Sequence, residues 1–586
     1  MIYPKIPLAQ TVIALCKAKG IQHIVISPGS RNAPLTIGFT NDPYFKCYSI
    51  VDERCAAFFA MGIAQQIQKP TAVVCTSGSA LLNYYPAVAE AFYSSIPLIV
   101  LSADRPKHLI GIGDGQTINQ KNVFENHILY SANLKLDLKD EKNVPGNEEL
   151  PIMKNIEDKI ERFLGLQKDI QTHNEEEIDT AINFSIIKKG PIHINIPFDE
   201  PLYQTVEKPT VKPKATEPVV KPRSIENYTM QTCLDDWNLA AKKMILVGVN
   251  NPNEIDKKWL DDLANDNSVI VLTETTSNLY HHSFISSIDQ LISPLTEDEE
   301  KQLQPDILIT FGGLIVSKKI KTFLRKYQPK HHWHIDSKEA MDTFFCLSNH
   351  IEIEPNKFFE SFLPKITHYV KSNYSSTWNA VKNKRQKRHA EYLEQIPFSD
   401  FMVFDKLLKS VPNNTVLQIG NSSAIRYAQL FNINKSIEVY CNRGTSGIDG
   451  STSTAIGCAV ANKKQTVFIT GDLSFFYDSN ALWNNYIPKN FRIIVVNNTG
   501  GGIFRILPGH KNTENFDTYF ETNHTLTAKQ LAAMYGFAYK SVSTEVTLEN
   551  ALKTFYMDGE EPKLLEIFTP KLVNDEVLLN YFEFLK

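Results

Sequence analysis

At 586 residues the chain is too long for one ordinary core and predicts about three domains. A hydrophobic content of 42% with 22% charged residues is that of a soluble globular protein, and 61 Lys+Arg against 65 Asp+Glu (net −4) leaves no basic excess of the kind nucleic-acid binding needs. Eight cysteines stand without CxxC pairs or metal-ligand spacing, which predicts incidental thiols in a reducing compartment. The start, MIYPKIPLAQTVIALCKAKG, has no signal-peptide layout, and no apolar run reaches about 18 residues. The expected location is cytoplasmic, with peripheral membrane association left open.

Ala9 to Lys19 carries apolar residues at helical spacing and stops at Gly20. HIVISPGSRNAPLT then predicts a buried strand at Ile24–Ile26, a tight loop Pro28-Gly29-Ser30-Arg31 and a helix. Tyr48–Val51 is expected as the next strand, followed by Asp52-Glu53-Arg54 and a helix of small residues, CAAFFAMGIA. AVVCTSGSALLNYYPAVAEAF predicts strand, glycine loop and helix, with Ser77 and Gly78 in the loop. PLIVLSADRP predicts a strand ending at Asp104-Arg105, and the glycine-rich loop GIGDGQTINQ (111–120) bears Gln116. Residues 137–180 are acidic and irregular and read as an insertion; KKGPIHINIPFDEPL (188–202) closes the unit. Helices alternating with apolar strands are the mark of an α/β parallel sheet.

Pro209, Pro213, Pro218 and Pro222 mark a semi-rigid surface linker over 204–225. A second α/β unit follows, with strands MILVGV, VIVLTE and DILITFGG, and Lys318-Lys319 open a helix after a Gly-Gly turn. A charged helical connector at 369–397 contains the run Lys382 to Arg388, read as the solvated face of a helix rather than a nucleic-acid patch. TVLQIGNSSAIRYAQL (415–430), with Ser422 and Arg426, echoes IVISPGSRNAPL (24–35), so the first and third units are expected to be two copies of one α/β design. VYCNRGTSGIDGSTSTAIGCAVA (439–461) supplies Arg443, a glycine-rich loop with Ile448, and a small-residue helix; LTAKQLAAMYGF opens a C-terminal helical region.

Thr466–Thr470 and Arg492–Val496 are apolar runs ended by Gly471-Asp472 and Asn497-Asn498. A short crossover would set them side by side, with Asp472 and Asn498 at the carboxyl ends, where open α/β sheets bind ligands. A carboxylate, an amide oxygen and the Gly500 carbonyl suit Mg²⁺ (or Mn²⁺), which takes about six oxygens and keeps waters or phosphate oxygens among them. Free N–H groups at the helix start suit a diphosphate. A helix cap and an Asn-Asn turn would use the same residues. Plain structural roles also stand open at this point for Ser30 and Ser77 as caps, Arg31 as a surface pair and Glu53 as an acid matched to a helix dipole. The same holds for Lys318 and Lys319 as solvated charge and Ile448 as core.

Gly-Asp followed by Asn-Asn, 26 residues from Asp472 to Asn498, resembles the metal and diphosphate motif of thiamine-diphosphate (ThDP) enzymes. SPGSR (27–31), DER (52–54), ADRP (103–106), NRGTSGIDG (442–450) and GDLSFFYDSNAL (471–482) together resemble the MenD family of menaquinone biosynthesis, across all three units. The resemblance implies a pyrimidine-binding domain at 1–203, a central domain at 226–368 and a diphosphate-binding domain at 398–586. It implies Mg²⁺ on Asp472, Asn498 and Gly500. Gly471, Leu473, Ser474, Ile503, Phe504, Ser77 and Gly78 would line the cofactor, and Ile448 would prop it in a bent form. Glu53 would bond the pyrimidine N1′ and promote loss of the thiazolium C2 proton; that role wants a neutral carboxyl, which burial supplies.

The implied substrates, 2-oxoglutarate and isochorismate, each carry two carboxylates, which planar Arg binds well. Ser30, Arg31, Arg105, Gln116, Lys318, Lys319, Ser422, Arg426 and Arg443 would orient them, with Phe504 and Leu507 as apolar walls. The implied reaction decarboxylates 2-oxoglutarate and adds the four-carbon remainder to isochorismate in a 1,4-addition. No His stands among these motifs, so base work is expected from the cofactor and ordered water. The implied assembly is a homodimer or a dimer of dimers, with Glu53 of one subunit meeting Asp472 of another. Two alternatives stay open: another ThDP-dependent 2-oxo acid decarboxylase or carboligase of the acetolactate-synthase kind, and a non-catalytic ThDP-fold binding protein. A nicotinamide dehydrogenase is disfavoured, because no GxGxxG follows a strand.

Overall fold

The computed structural model describes residues 1–137, 156–220, 223–367, 370–506, 513 and 515–586. Three sheets carry the fold, and every strand pair within them is parallel. The first contains β1 (His23–Ile26), β2 (Lys46–Ser49), β3 (Thr71–Cys75), β4 (Leu98–Asp104), β5 (Ser131–Asn133) and β6 (Ile192–Pro197), in the order β2-β1-β3-β4-β6-β5. The second contains β7 (Lys243–Val247), β8 (Val269–Thr273), β9 (Ile307–Phe311), β10 (His331–Ile335) and β11 (Asn349–Ile351), in the order β8-β7-β9-β10-β11. The third contains β12 (Val416–Ile419), β13 (Glu438–Tyr440), β14 (Thr466–Gly471), β15 (Arg492–Asn497), β16 (Ala538–Val542) and β17 (Lys563–Phe568), in the order β13-β12-β14-β15-β17-β16. The first and third sheets therefore share one strand order, as the echo between 24–35 and 415–430 predicts.

Every residue of β3, β4 and β15 is buried. Helices cover both faces of such sheets, so their strands read as unbroken apolar runs rather than alternating ones. The chain forms two compact units. The first is Met1–Val220 with Thr452–Lys463 and Asp478–Ile487; the second is Lys221–Ser451 with Lys464–Tyr477 and Pro488–Lys586. Within the first unit, helices Glu53–Ile67 and Ser451–Ala461 touch backbone to backbone. A Cβ on Gly62 would lie 2.1 Å from the Thr454 carbonyl oxygen, and one on Gly457 would lie 2.0 Å from that of Phe59. Only glycine permits that approach.

Three expectations need correction. Residues 137–180 are not irregular throughout: a helix spans Ile156–Lys188 and buries Ile178, Ala181 and Ile182 in the core of the first sheet, while 138–155 lie outside the described residues. The run Lys382 to Arg388 is not simply a solvated face. Arg385 is buried, donating to the carbonyls of Leu585, Lys586 and Pro294, so it closes the C-terminal end of helix Asn574–Phe584. The strand expected at Tyr48–Val51 is Lys46–Ser49, because Asp52 caps the following helix by accepting from Cys55 N at 3.1 Å. The proline-bearing stretch 204–220 is largely exposed. It is pinned by Thr205–Val206 pairing with Tyr3–Pro4, and by Thr216 donating to Asp179. Among the described residues no helix is long and apolar enough to cross a membrane.

Candidate active site

In the second unit, β14 and β15 are neighbours with Gly471 opposite Val496, so Asp472 and Asn498 leave adjacent strands at the same end. Asp472 is buried. Its Oδ1 accepts from Leu473 N at 2.7 Å and its Oδ2 from Gly500 N at 3.0 Å. Asn498 Nδ2 donates to Asp400 Oδ2 at 2.9 Å, whereas its Oδ1 is buried with no hydrogen-bond partner among the described residues. An orphaned, oriented amide oxygen beside a buried carboxylate fits a hard cation. Gly500 sits at φ +152, and a Cβ there would meet the Glu521 carbonyl at 2.7 Å, so the loop can turn here only without a side chain. Ser474 Oγ donates to the Ile448 carbonyl at 3.0 Å, joining the two signature loops.

Two residues that sequence reasoning missed complete this corner. Asp400 is fully buried and pushed up to about 6 by burial, with the Thr569 and Asn498 hydrogen bonds holding it down. Thr569 Oγ1 donates to its Oδ1 at 2.6 Å. His524 places Nε2 3.3 Å from Asp472 Oδ2 while its Nδ1 accepts from Leu526 N at 3.1 Å. The expectation that no histidine stands among the motifs holds for the linear motifs and fails in space.

In the first unit, Glu53 is the first residue of helix Glu53–Ile67 and is partly covered; its Oε2 accepts from Asn83 Nδ2 at 3.3 Å. Ser77 is buried with an unpartnered Oγ, and Gly78 N donates to Gln120 Oε1 at 2.9 Å. Gln120 also donates to Asn195 Oδ1 at 2.8 Å, fastening loop 111–120. Gln116 takes φ +56 in that loop, and its backbone packs on Gly78. Arg31 is buried, donates to the Phe198 carbonyl at 3.1 Å, and is pulled below the usual guanidinium range by burial and then by Arg105. Arg105 donates to the Gly115 carbonyl at 3.0 Å and pairs with Asp114 at 3.1 Å. Ser30 is exposed beside Arg31.

The second unit repeats the arrangement. Arg443 donates to Asn421 Oδ1 at 2.8 Å, and Arg426 is lowered by burial and then by Arg443. Ser422 holds φ 68, ψ −123 at the start of helix Ser423–Ala428, a strained conformation for a non-glycine. Lys318 and Lys319 begin helix Lys318–Lys326 and are exposed, with Lys319 over the Phe582 ring. That helix start is fixed by Glu274, which accepts from Val316 N and Ser317 N at 2.7 Å each and is pushed up to about 7 by burial. Arg443 and Lys321 both feel the Glu274 charge. Nε of Arg31, Arg105 and Arg443 is buried and without a hydrogen-bond partner among the described residues. Arg31 also pairs with Glu200 at 3.3 Å, yet three of the four guanidinium groups keep a donor to spare, as an anion site requires.

Three thiamine-enzyme models match the chain: "Thiamine pyrophosphate enzyme, N-terminal TPP binding domain" at residues 6–128, "Middle domain of thiamine pyrophosphate" at 214–419, and the C-terminal TPP binding domain at 418–567. The chain is 57% identical over 591 residues to a 2-succinyl-5-enolpyruvyl-6-hydroxy-3-cyclohexene-1-carboxylate (SEPHCHC) synthase of Christiangramia forsetii and 56% identical over 583 residues to one of Flavobacterium psychrophilum, across the whole of both chains in each case. A SEPHCHC synthase of Porphyromonas gingivalis is 35% identical over 582 residues, covering 97% of this chain and 96% of its own. The chain belongs to the SEPHCHC synthase family.

The three parallel sheets are accordingly the three-domain architecture of ThDP enzymes. Of the residues that the family resemblance singles out, Gly471, Asp472, Leu473, Ser474, Asn498, Gly500 and Ile448 are gathered at the ends of β14 and β15 and on the loop beside them. Ile503 and Phe504 lie on helix Ile503–Ile506, with the Phe504 ring 6.0 Å from that of Phe520. Leu507 lies outside the described residues. Asp400, Gln120, Glu274 and His524 were out of reach of motif reading; the Ser-Asp pair before FMVFDKLL, an N-cap pattern, was the only signal at Asp400.

Proposed function

We propose that this chain is itself a SEPHCHC synthase. It decarboxylates 2-oxoglutarate and adds the succinyl semialdehyde unit to isochorismate by 1,4-addition in menaquinone biosynthesis, a transferase reaction. The observation that carries the reading is the set of Arg31, Arg105, Arg426 and Arg443 on the signature loops, three of them with a buried Nε left without a hydrogen-bond partner among the described residues. Two dicarboxylates call for such a set; a small 2-oxo acid such as pyruvate would not need it.

The domains divide at 1–203, 226–368 and 398–586, joined by the linker 204–225 and the helical connector 369–397. Asp472, the Asn498 amide oxygen and the Gly500 carbonyl hold Mg²⁺ or Mn²⁺, and the orphaned Asn498 Oδ1 supports that set. ThDP held there would supply the electron sink that decarboxylation of a 2-oxo acid and the following carbon–carbon bond formation need. Ile448, Gly471, Leu473, Ser474, Ile503 and Phe504 would line it on the metal side, and Ser77 and Gly78 would do so on the pyrimidine side. Glu53 holds a proton at the pyrimidine nitrogen. Its partial exposure within one chain supports a homodimer or a dimer of dimers that completes its cover. Ser30, Arg31, Arg105, Gln116, Lys318, Lys319, Ser422, Arg426 and Arg443 orient substrate carboxylates, with Phe504 and Leu507 as apolar walls. The cellular location is cytoplasmic.

The deciding experiment supplies ThDP and Mg²⁺ and measures CO₂ from 2-oxoglutarate with and without isochorismate, against pyruvate as a control. Release from 2-oxoglutarate with product formation on isochorismate is expected. Preference for pyruvate would favour an acetolactate-synthase-like activity, and stoichiometric ThDP binding without CO₂ would favour a binding protein.

A further inference from the structure

The signature GDLSFFYDSNAL runs past Asp472 into Asp478 and Asn480, and nothing in the function above uses those two. Both belong to the segment Asp478–Ile487, which packs in the first unit together with the Asp52-Glu53-Arg54 turn. Asn480 Nδ2 donates to Asp52 Oδ2 at 2.9 Å. The other carboxylate oxygen of Asp52 caps the helix by accepting from Cys55 N at 3.1 Å. Arg54 lies 3.7 Å from Asp478 Oδ1, and Cys55 Sγ donates to the same oxygen at 3.5 Å. Asp478 is wholly buried. It is braced from behind by Ser453, whose N donates to Oδ2 at 2.7 Å and whose Oγ donates to Oδ1 at 2.9 Å. Asp52, Arg54 and Cys55 are thus each held by Asp478 or Asn480, whereas the Glu53 carboxylate meets Asn83.

We propose that Asp478 and Asn480 are positioning residues that clamp the Asp52–Cys55 turn and so aim the Glu53 carboxylate at its ligand. The physical reason is that a side chain at the first position of a helix inherits its direction from the cap. The cap geometry here is fixed from outside the helix through Asp52. The clamp rests on the reading of Glu53 as the group that engages the cofactor pyrimidine, and the test separates the two.

Asp478 is deeply buried, so substitution there endangers folding; Asn480 is exposed and carries the experiment. Asn480→Asp sets a carboxylate against Asp52. Combining Asn480→Asp with Asp52→Asn rebuilds the bond with its polarity reversed. The amide introduced at position 52 can still cap Cys55 N through its oxygen while its nitrogen donates to the carboxylate introduced at position 480. Two readouts on the full chain apply. One is hydrogen–deuterium exchange at C2 of bound ThDP with Mg²⁺; the other is amide exchange over 52–56 in the cofactor-free chain. Asn480→Asp is expected to slow C2 exchange on the order of ten- to hundredfold, the scale of a displacement of about 1 Å. It is also expected to speed amide exchange over 52–56 and to leave ThDP affinity within about threefold, and the double variant is expected to restore both exchange rates. Unchanged C2 exchange in Asn480→Asp, or no recovery in the double variant, overturns the clamp while Glu53→Gln still abolishes exchange. Normal exchange in Glu53→Gln overturns the reading of Glu53, and the clamp with it.

Discussion

Replacing Asp400 with Ala isolates the contact that orients Asn498. In the native chain Asn498 Nδ2 is tied to Asp400 Oδ2 at 2.9 Å, which fixes Oδ1 as the atom left without a partner. Without the carboxylate the amide can turn over and offer a donor where an acceptor is needed. A hydrogen bond to a charged group contributes about 1.5–3 kcal/mol, which corresponds to roughly ten- to hundredfold in affinity. That range matches the usual effect of removing a group that orients a metal ligand. The assay is the Mg²⁺ concentration for half-maximal ThDP binding, followed by intrinsic fluorescence, with Mn²⁺ binding by electron paramagnetic resonance as a second measure. Asp400→Ala is expected to raise the half-saturating Mg²⁺ by that factor. Asp400→Asn keeps an acceptor oxygen and is expected to stay within about threefold. A native Mg²⁺ requirement in Asp400→Ala, with a normal melting curve, would refute the reasoning.

Glu53→Gln is expected to keep the fold and ThDP binding while losing most C2 proton exchange; unchanged turnover would contradict the role given to Glu53. Gly457→Ala forces a Cβ to 2.0 Å from the Phe59 carbonyl oxygen, so a loss of about 2–3 kcal/mol or more is expected in urea unfolding, and an unshifted midpoint would count against the close helix contact. Burial pulls His193 down to about 3, so the folded chain keeps it neutral while the unfolded chain takes up a proton below about pH 6.5. Its contribution is full above pH 6.5 and is lost as pH falls toward 3. Against His193→Gln, the wild type should therefore lose about 2 kcal/mol between pH 7.5 and 5, read from paired urea titrations; a pH-independent difference would exclude it.

Strands were legible where parallel pairing buries both faces. VFIT, RIIVV and LIVLSAD are apolar because no face meets water, and they mark β14, β15 and β4 directly. β10 was not legible, because HHWHI carries three histidines. Thr310 Oγ1 hydrogen-bonds both His332 Nε2 and His334 Nδ1 at 2.8 Å, which lets them stand in a sheet. The helix Ile156–Lys188 was hidden by its charge, since among its described side chains only those of the later turns reach the core. Arg385 looked solvated among lysines, yet its guanidinium is held by the Leu585 and Lys586 carbonyls that end another helix and by that of Pro294. At the site, motif spacing reached Asp472 and Asn498 because a strand-end rule connects them. It could not reach Asp400 or His524, which come to the same corner from distant segments.

Helix Ser451–Ala461 and the turn Ser479–Leu482 interrupt the strands of the third sheet in sequence, yet they fold into the body built by the N-terminus. Scission in the proline-rich connector would therefore not yield two self-sufficient halves. An amino-terminal fragment would expose the flank of helix Glu53–Ile67 around Gly62, and its carboxy-terminal counterpart would carry two orphaned pieces. Dissection by domain expression should fail on either side alone and succeed only by co-expression.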